Sequence, residues 1–208
     1  MADNYKIGIV DYSLGNLYNI ERSLKYLGYT VKFIHQSKDL ENIDGLILPG
    51  VGSFSVGMQN LKKSNLDQGI LNFVKSGKPL LGICLGMQLL MTNSFEFGNH
   101  KGLNLIEGTV EKIVTDNNLP LPHIGWANCS IKSKYEYQMF SHLDETTDFY
   151  FTHSYVCVPK DLNNIFATFN YGKDLTSIIV KNNIIGCQFH PELSSYAGLE
   201  ILKNIKNL

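Results

Sequence analysis

Short apolar runs alternate with helical patterns along the first half of the chain. The apolar run Lys6–Val10 precedes a segment in which Leu17, Ile20, Leu24 and Leu27 recur at the spacing of one helical face. The same order recurs further along, with predicted strands at residues 31–34, Gly45–Leu48 and Leu80–Ile83, a helix carrying Leu66, Ile70 and Phe73, and a helix through Gln88 to Met91. Strands separated by helices predict a parallel sheet that helices cover on both faces.

The second half of the chain contains more strand patterns and fewer helices. Predicted strands lie at residues 109–114, 150–158, Ile165–Asn170, 177–181 and 184–189. Asn182-Asn183 predicts a tight turn between the last two strands, and Leu199, Leu202 and Ile205 indicate a final helix. We therefore expect an α/β fold: a mostly parallel twisted sheet covered by helices on both faces, with an antiparallel β extension in the C-terminal half.

Length, composition and charge indicate an ordinary globular protein. The chain has 208 residues, of which 44% are hydrophobic and 18% are charged, so a single domain over residues 1–208 is expected. A net charge of −1 offers no basic field to attract a nucleic acid. The sequence begins without the pattern of an export signal, and its longest apolar stretch, residues 80–91, is shorter than the ~20 residues of a membrane span. We expect neither a nucleic acid nor a membrane partner, and a cytoplasmic location.

The four cysteines of the chain are Cys84, Cys129, Cys157 and Cys187, and they lie far apart without a C-x-x-C pair. This spacing argues against a structural zinc site, and a reducing compartment argues against disulfides. Cys157 and Cys187 stand in apolar strand patterns, so we interpret both as small buried hydrophobic residues.

Cys84 has a different setting, because it follows a predicted strand and precedes a predicted helix. The pattern Gly82-Ile83-Cys84-Leu85-Gly86 matches the G-x-nucleophile-x-G spacing of a nucleophile elbow. Small residues on both sides allow a sharp turn that holds the side chain out at the end of the sheet. The amides and dipole of the following helix are expected to favour a thiolate over a thiol. Cysteine is usually buried, however, and this spacing alone is also compatible with a core cysteine.

A thiolate nucleophile needs a proton carrier, and the chain has six histidines: His35, His100, His123, His142, His153 and His190. His190 ends an apolar strand pattern and opens the sequence His190-Pro191-Glu192. Proline favours extended geometry in the residue before it, and residues two apart in an extended segment share a face. Glu192 can therefore orient the imidazole, which supplies a nucleophile, a base and an orienting acid. A lone His-Pro-Glu would more often be a loop.

A glycine loop follows another predicted strand at Leu48-Pro49-Gly50-Val51-Gly52-Ser53-Phe54. Glycines there let backbone N–H groups turn outward, where they and the amide of Leu85 could bind the oxygen of a tetrahedral intermediate. A phosphate site is disfavoured, because the loop has neither G-x-G-x-x-G nor a following Gly-Lys-Ser/Thr.

These segments together resemble the class I glutamine amidotransferases with a Cys-His-Glu triad, and within them the glutaminase subunits of imidazole glycerol phosphate synthases. The resemblance runs over residues 7–199 and is carried by the following segments, in order: Asp11-Tyr12 with Gly15-Asn16-Leu17, Pro49-Gly50-Val51-Gly52-Ser53-Phe54, Gly82-Ile83-Cys84-Leu85-Gly86-Met87-Gln88, His123-Ile124-Gly125-Trp126, His153-Ser154-Tyr155 and Gln188-Phe189-His190-Pro191-Glu192.

The resemblance implies a glutaminase whose ammonia passes to a partner synthase. Cys84 would attack the side-chain amide of glutamine, His190 would protonate the departing ammonia, and water would release glutamate from a thioester, without cofactor or metal. It further implies an oxyanion hole at Gly52 and Leu85. The glutamine head group would be held by Gln88, Glu96, His153, Ser154 and Tyr155.

The partner implied by the resemblance is a cyclase with a (βα)₈ barrel, in a heterodimer that serves histidine biosynthesis. Its docking face is expected near Tyr12, Trp126 and Leu193. The family commonly has a basic residue after His-Pro-Glu and an asparagine after Gly-Trp, whereas this chain has Leu193 and Ala127. A paralogous cyclase-like partner that aminates or amidinates a surface-sugar precursor therefore stays open as an alternative.

Two alternatives of other classes share parts of this pattern. A cysteine peptidase or a DJ-1-like stress protein also carries an elbow cysteine on an α/β sheet, but it would not need the His-Pro-Glu and the glycine loop together. An assay that compares the hydrolysis of free peptides with the hydrolysis of free glutamine separates these classes. A non-catalytic regulatory relative should have lost at least one of Cys84, His190 and Glu192, and this chain retains all three.

Overall fold

The computed structural model describes residues 5–115, 119–131, 138–141, 143–144 and 147–207. Its strands are β1 (Lys6–Val10), β2 (Thr30–Ile34), β3 (Gly45–Leu48), β4 (Leu80–Ile83), β5 (Met91–Ser94), β6 (His100–Lys101), β7 (Ile106–Lys112), β8 (His123–Asn128), β9 (Ser130–Ile131), β10 (Asp148–His153), β11 (Tyr155–Pro159), β12 (Ile165–Asn170), β13 (Asp174–Lys181) and β14 (Ile184–Cys187). Its α-helices are α1 (Leu17–Tyr26), α2 (Phe54–Lys63), α3 (Leu66–Lys75), α4 (Leu85–Leu89) and α5 (Ser195–Lys203).

Eight strands of the described residues form the main sheet in the order β2-β1-β3-β4-β14-β13-β12-β9. The pairs from β2 to β14 are parallel, and β14-β13-β12-β9 continue the sheet with antiparallel pairs. The predicted α/β fold is therefore confirmed, including the change from parallel to antiparallel strands in the second half of the chain.

Alternating residues of the central strands face two separate apolar layers, as the two-residue period of a strand requires. Ile47 of β3 belongs to the layer on one face, which also contains residues of α1 and α5. Its neighbours Leu46 and Leu48 belong to the layer on the other face, together with residues of α2 and α3. Helices thus cover both faces of the sheet, and the parallel strands in its centre are apolar on both sides.

The structure corrects three details of the predicted elements. The helix expected to continue to Met91 ends at Leu89, and Met91 begins β5. The single strand expected at residues 150–158 is two strands, because β10 pairs with β8 whereas β11 pairs with β7 in a different sheet. The chain crosses between these sheets at Ser154. Helix α2, which follows the glycine loop, was not predicted. None of the helices in the described ranges has both the length and the apolar character needed to span a bilayer.

Candidate active site

Cys84 occupies a sharp turn between β4 and α4. Its φ of 52° lies in the left-handed region, which a residue with a side chain rarely adopts without support from its surroundings. A Cβ atom at Gly86 would lie 1.7 Å from the carbonyl oxygen of Leu48, and one at Gly82 would lie 2.9 Å from the backbone of Gly86. Both flanking positions therefore require glycine, which is the physical reason for the G-x-C-x-G spacing.

His190 and Glu192 follow β14, which pairs with β4 in parallel. The register places Cys187 opposite Ile83, so Cys84 and His190 emerge at the same edge of the sheet. His190 Nδ1 lies 2.9 Å from Glu192 Oε1, and both side chains are buried. Nε2, the other ring nitrogen, is buried without a hydrogen bond. Cys84 is nevertheless close enough to raise the pKa of the ring.

The electrostatic surroundings of His190 favour its charged form. Burial lowers the pKa of His190, but the interactions with Cys84 and Glu192 outweigh burial and raise it to about 10. An imidazole that lies between a sulfur and a carboxylate can accept and return a proton at the nucleophile. The structure thus brings together the three residues that the sequence predicted as a triad.

A cavity of about 430 Å³ opens beside Cys84. It is lined by Val51, Gly52, Cys84, Leu85, Gln88, Glu96, Phe97, Pro122, Thr152, His153, Ser154 and Tyr155. All the residues that the family resemblance implied for glutamine binding and for the oxyanion therefore lie around one cavity with the nucleophile. His190 and Glu192 are buried and do not appear in this lining.

The model of the family described as "Glutamine amidotransferase class-I" matches residues 8–206. The chain belongs to this family. The expectation drawn from the motifs is therefore confirmed for the family and for the fold.

Two curated relatives carry the same description, "Imidazole glycerol phosphate synthase subunit HisH". The protein from Prochlorococcus marinus is 42% identical over 199 residues, which cover 95% of this chain and 92% of the relative. The protein from Lacticaseibacillus casei is 43% identical over 202 residues, which cover 97% of this chain and 95% of the relative. A solved structure described as "Structure of PurLQS from Thermotoga maritima" has a TM-score of 0.76 at 17% identity and covers 99% of both chains, which shows the fold alone.

Two glutamine side chains in this amidotransferase connect the nucleophile to the cavity. Gln188 Nε2 donates to Cys84 Sγ at 3.7 Å, and Gln188 Oε1 accepts from Gln88 Nε2 at 3.1 Å. Gln88 Nε2 also donates to the carbonyl oxygen of Tyr155 at 3.2 Å. Gln188 received no role from the sequence; its position two residues before His190, on the face of an extended segment that His190 shares, was the available signal.

Glu96 is fixed at the start of helix α2. Its Oε2 accepts a hydrogen bond from the backbone N–H of Phe54, the first residue of that helix. Its own backbone N–H donates to Ser94 Oγ at 3.1 Å. The carboxylate therefore accepts a hydrogen bond from the N-terminus of the helix and also lines the cavity. It can do both because a carboxylate accepts several hydrogen bonds through its two oxygens.

His153 lies on the cavity wall in a setting unlike that of His190. His153 Nδ1 donates to the carbonyl oxygen of Tyr155 at 2.8 Å, and its Nε2 is buried without a hydrogen bond. Burial lowers the pKa of His153 to about 4. The ring of His123 packs nearby with a centroid distance of 5.7 Å, and burial also lowers the pKa of His123. Both rings are thus neutral at pH 7. His142 lies outside the described residues.

The two amides expected at the oxyanion are not equally available. The N–H of Leu85 donates to the carbonyl oxygen of Gly50 at 3.3 Å, so it is engaged within the glycine loop. Gly52 has a φ of 98°, which favours glycine, and no neighbour would meet a Cβ atom there. The N–H of Leu85 is therefore occupied by the carbonyl of Gly50 in this arrangement of the loop.

Tyr12 does not lie on the exposed partner face where it was expected. Its side chain is 2% exposed, and its hydroxyl donates to the carbonyl oxygen of Pro49 at 2.6 Å. A Cβ atom at Gly50 would lie 2.1 Å from that hydroxyl. Burial raises the pKa of Tyr12, which keeps the hydroxyl protonated as a donor. Tyr12 therefore packs under the glycine loop and hydrogen-bonds its backbone. The sequence could not reveal this, because the contact joins two segments that are distant in the chain.

Trp126 and Leu193, the other expected partner residues, are exposed. Trp126 is 52% exposed on β8 and packs edge-on against Tyr150, with ring centroids 5.8 Å apart. Leu193 is 37% exposed directly after Glu192. Two exposed apolar side chains are thus present among the described residues, and one of them directly follows Glu192 of the triad.

The remaining cysteines differ from Cys84 in their surroundings. Cys129, Cys157 and Cys187 are buried in apolar layers and form no disulfide. Burial raises the pKa of Cys129 to about 12 and raises the pKa of Cys157 and Cys187 as well. These three therefore remain thiols at pH 7, in agreement with the interpretation of Cys157 and Cys187 as buried hydrophobic residues.

Proposed function

We propose that the chain is the glutaminase subunit of an imidazole glycerol phosphate synthase, and that it hydrolyses glutamine through Cys84, His190 and Glu192. The observation that carries this proposal is the elbow cysteine beside the His190–Glu192 pair, with a cavity opening at the sulfur. The relatives described as HisH cover nearly the whole chain and support the place of this chemistry in histidine biosynthesis.

In the first half of the reaction, Cys84 Sγ forms a bond to the side-chain amide carbon of glutamine. His190 gives the proton on Nε2 to the amide nitrogen, the C–N bond breaks, and ammonia leaves a γ-glutamyl thioester on Cys84. In the second half, His190 takes a proton from water while the oxygen attacks the thioester. The C–S bond then breaks, which releases glutamate and returns the thiolate. Glu192 holds Nδ1 and stabilises the imidazolium in both halves.

The negative oxygen of each tetrahedral intermediate would be held by the N–H groups of Gly52 and Leu85. Leu85 becomes available only when the carbonyl of Gly50 gives up its hydrogen bond. The chain as it stands therefore has a complete nucleophile and base but an incomplete oxyanion hole. The engaged N–H of Leu85 supports the prediction that the isolated chain has low activity. It also supports activation by a partner that moves the glycine loop.

The cavity offers groups of suitable chemistry for both ends of glutamine. Glu96 contributes the carboxylate of the described lining, and we assign it to the α-ammonium group. Gln88, His153, Ser154 and Tyr155 would hold the rest of the head group. His153 is neutral, so its unpaired Nε2 is an acceptor for a substrate donor.

The partner in this proposal is a cyclase subunit with a (βα)₈ barrel that docks on the exposed surface around Trp126 and Leu193. A large half-exposed aromatic side chain beside an active site is a typical interface anchor. A cyclase-like partner in surface-sugar modification is the second candidate, because Leu193 stands where the family commonly has a basic residue. The HisH descriptions of the relatives favour the histidine pathway.

We also propose one domain over residues 1–208, supported by the family match to residues 8–206 and by a main sheet that combines strands from both halves of the chain. The cytoplasmic location stays a prediction from the sequence.

The test is to mix the purified chain with the cyclase subunit of the same organism and its nucleotide substrate. Glutamate release and complex formation are then measured. We expect a complex and at least about tenfold activation, equivalent to ~1.4 kcal/mol of coupling for each tenfold. The Cys84→Ala variant should bind the cyclase equally well but release no glutamate. Failure to bind this cyclase, together with binding to a cyclase-like protein of surface-sugar modification, would overturn the pathway but not the triad.

A further inference from the structure

Phe97 is an exposed aromatic residue that no role assigned so far explains. The residue is 86% exposed, the highest value among the large hydrophobic residues that the structure describes. Exposing a phenyl ring to water is unfavourable, and a ring that is mostly exposed contributes little to folding. The exposed face of the ring is therefore free to contact a ligand.

Phe97 lines the same cavity as Cys84. Its ring meets the ring of Tyr155 edge-on, with centroids 6.5 Å apart and planes inclined by 61°. Val51, which is also exposed, lines the cavity too. The cavity thus combines an apolar wall with the polar groups of Glu96 and the nucleophile.

The backbone sets the position of Phe97 more than side-chain packing does. Glu96, the residue before it, is tied to the N-terminus of α2 and to Ser94. Phe97 itself has a φ of 51° and is followed by Gly98 with a φ of 137°. This tight turn holds the ring at the cavity although the ring has few contacts of its own.

We propose that Phe97 is a specificity-determining residue for the substrate, and that its ring and Tyr155 cover the two side-chain methylenes of bound glutamine. This inference rests on the proposed function. Glutamine has polar groups at both ends, for which Cys84 and Glu96 provide partners, and two apolar carbons between them. A pocket that leaves those carbons in water would lose the contact that separates glutamine from a shorter amide such as asparagine.

The decisive variant is Phe97→Ala, with Phe95→Ala as its matched control. Phe95 is 52% exposed, lies two residues away and is not part of the cavity lining. In the complex with the cyclase, Phe97→Ala should raise the KM for glutamine about tenfold with kcat within about twofold, because burial of apolar carbons contributes to binding. Phe97→Leu should restore part of the affinity, and Phe95→Ala should behave as the wild type.

A second readout separates this proposal from the proposed function. In the isolated chain, alkylation of Cys84 by a γ-glutamyl chloroketone should saturate at higher concentration in Phe97→Ala, whereas alkylation by iodoacetamide should be unchanged. If the wild-type complex released no glutamate, the proposed function would fail, and the saturation data would still test Phe97. An unchanged KM and unchanged saturation would overturn the inference. Weaker binding of the cyclase with an unchanged KM would also overturn it and make Phe97 a partner contact.

Discussion

Two buried histidines beside Cys84 differ in the group that each holds through Nδ1. His190 pairs with a carboxylate oxygen of Glu192 at 2.9 Å, whereas His153 pairs with the carbonyl oxygen of Tyr155 at 2.8 Å. The Nε2 atoms of both are buried without a hydrogen bond. The pKa of His190 is raised to about 10, and that of His153 is lowered to about 4.

This comparison shows that burial does not decide which histidine acts as the base. Burial disfavours the charged form of both rings, but a carboxylate and a sulfur offset that cost only at His190. His190 can therefore alternate between imidazole and imidazolium during the reaction. His153 stays neutral, which suits a residue that accepts a hydrogen bond from the substrate.

The largest expected difference between the two histidines is in turnover. His190→Ala should lower kcat by about a thousandfold or more, because general acid–base catalysis is lost in both halves of the reaction. His153→Gln keeps a donor for Tyr155, so it should mainly raise the KM and leave kcat within about tenfold. Glutamate release by the complex with the cyclase measures both, with circular dichroism as the check on folding. Similar losses of kcat in the two variants would remove the distinction.

A smaller effect is expected when the carboxylate is made neutral. Glu192→Gln should preserve most of the geometry but no longer stabilise the imidazolium of His190, so kcat should fall less than in His190→Ala. The pH dependence of kcat/KM should also change in Glu192→Gln and not in His153→Gln. Equal losses in Glu192→Gln and His190→Ala would indicate that Glu192 has a structural role. No loss would exclude it from catalysis.

The smallest expected effect is on stability. The contributions of the two histidines to stability change with pH in opposite directions. The lowered pKa of His153 contributes stability that is present above its ordinary pKa of 6.5 and is lost as the pH falls toward about 4. The raised pKa of His190 contributes stability that is present below 6.5 and is lost as the pH rises toward about 10.

Chemical denaturation at a series of pH values measures this difference. The free energy of unfolding of His153→Gln should fall less than that of the wild type between pH 6.5 and 4, because one group no longer takes up a proton on unfolding. In His190→Gln, the free energy of unfolding should instead fall less than in the wild type as the pH rises from 6.5 toward 10. A parallel shift of the whole curve in His153→Gln would show that this residue contributes packing but no titration.

The triad and the parallel sheet could be predicted because their signals are local. Cys84 needs glycine at the positions two before and two after it, and Glu192 reaches His190 from two residues away. Both requirements appear as short motifs. The strand-helix alternation of the first half likewise follows from apolar periodicity within each segment.

What the sequence could not show depends on contacts between distant segments. The burial of Tyr12 follows from its hydrogen bond to Pro49, and the role of Gln188 follows from its contacts with Gln88 and Cys84. The break at Ser154 arises because β10 and β11 pair in different sheets, although residues 150–158 form one continuous β-type pattern. Contacts and strand pairings between distant segments, not local propensity, decide each of these features.

The most direct test of the central claim is to label the wild-type chain with a γ-glutamyl chloroketone and to locate the label by peptide mass spectrometry. We predict that Cys84 alone is alkylated among the four cysteines, that glutamine protects it, and that His190→Ala slows the reaction whereas His153→Gln leaves the rate at saturation unchanged. Label on Cys129, Cys157 or Cys187, or an equal slowing in both histidine variants, would contradict the assignment of Cys84 and His190 as nucleophile and base.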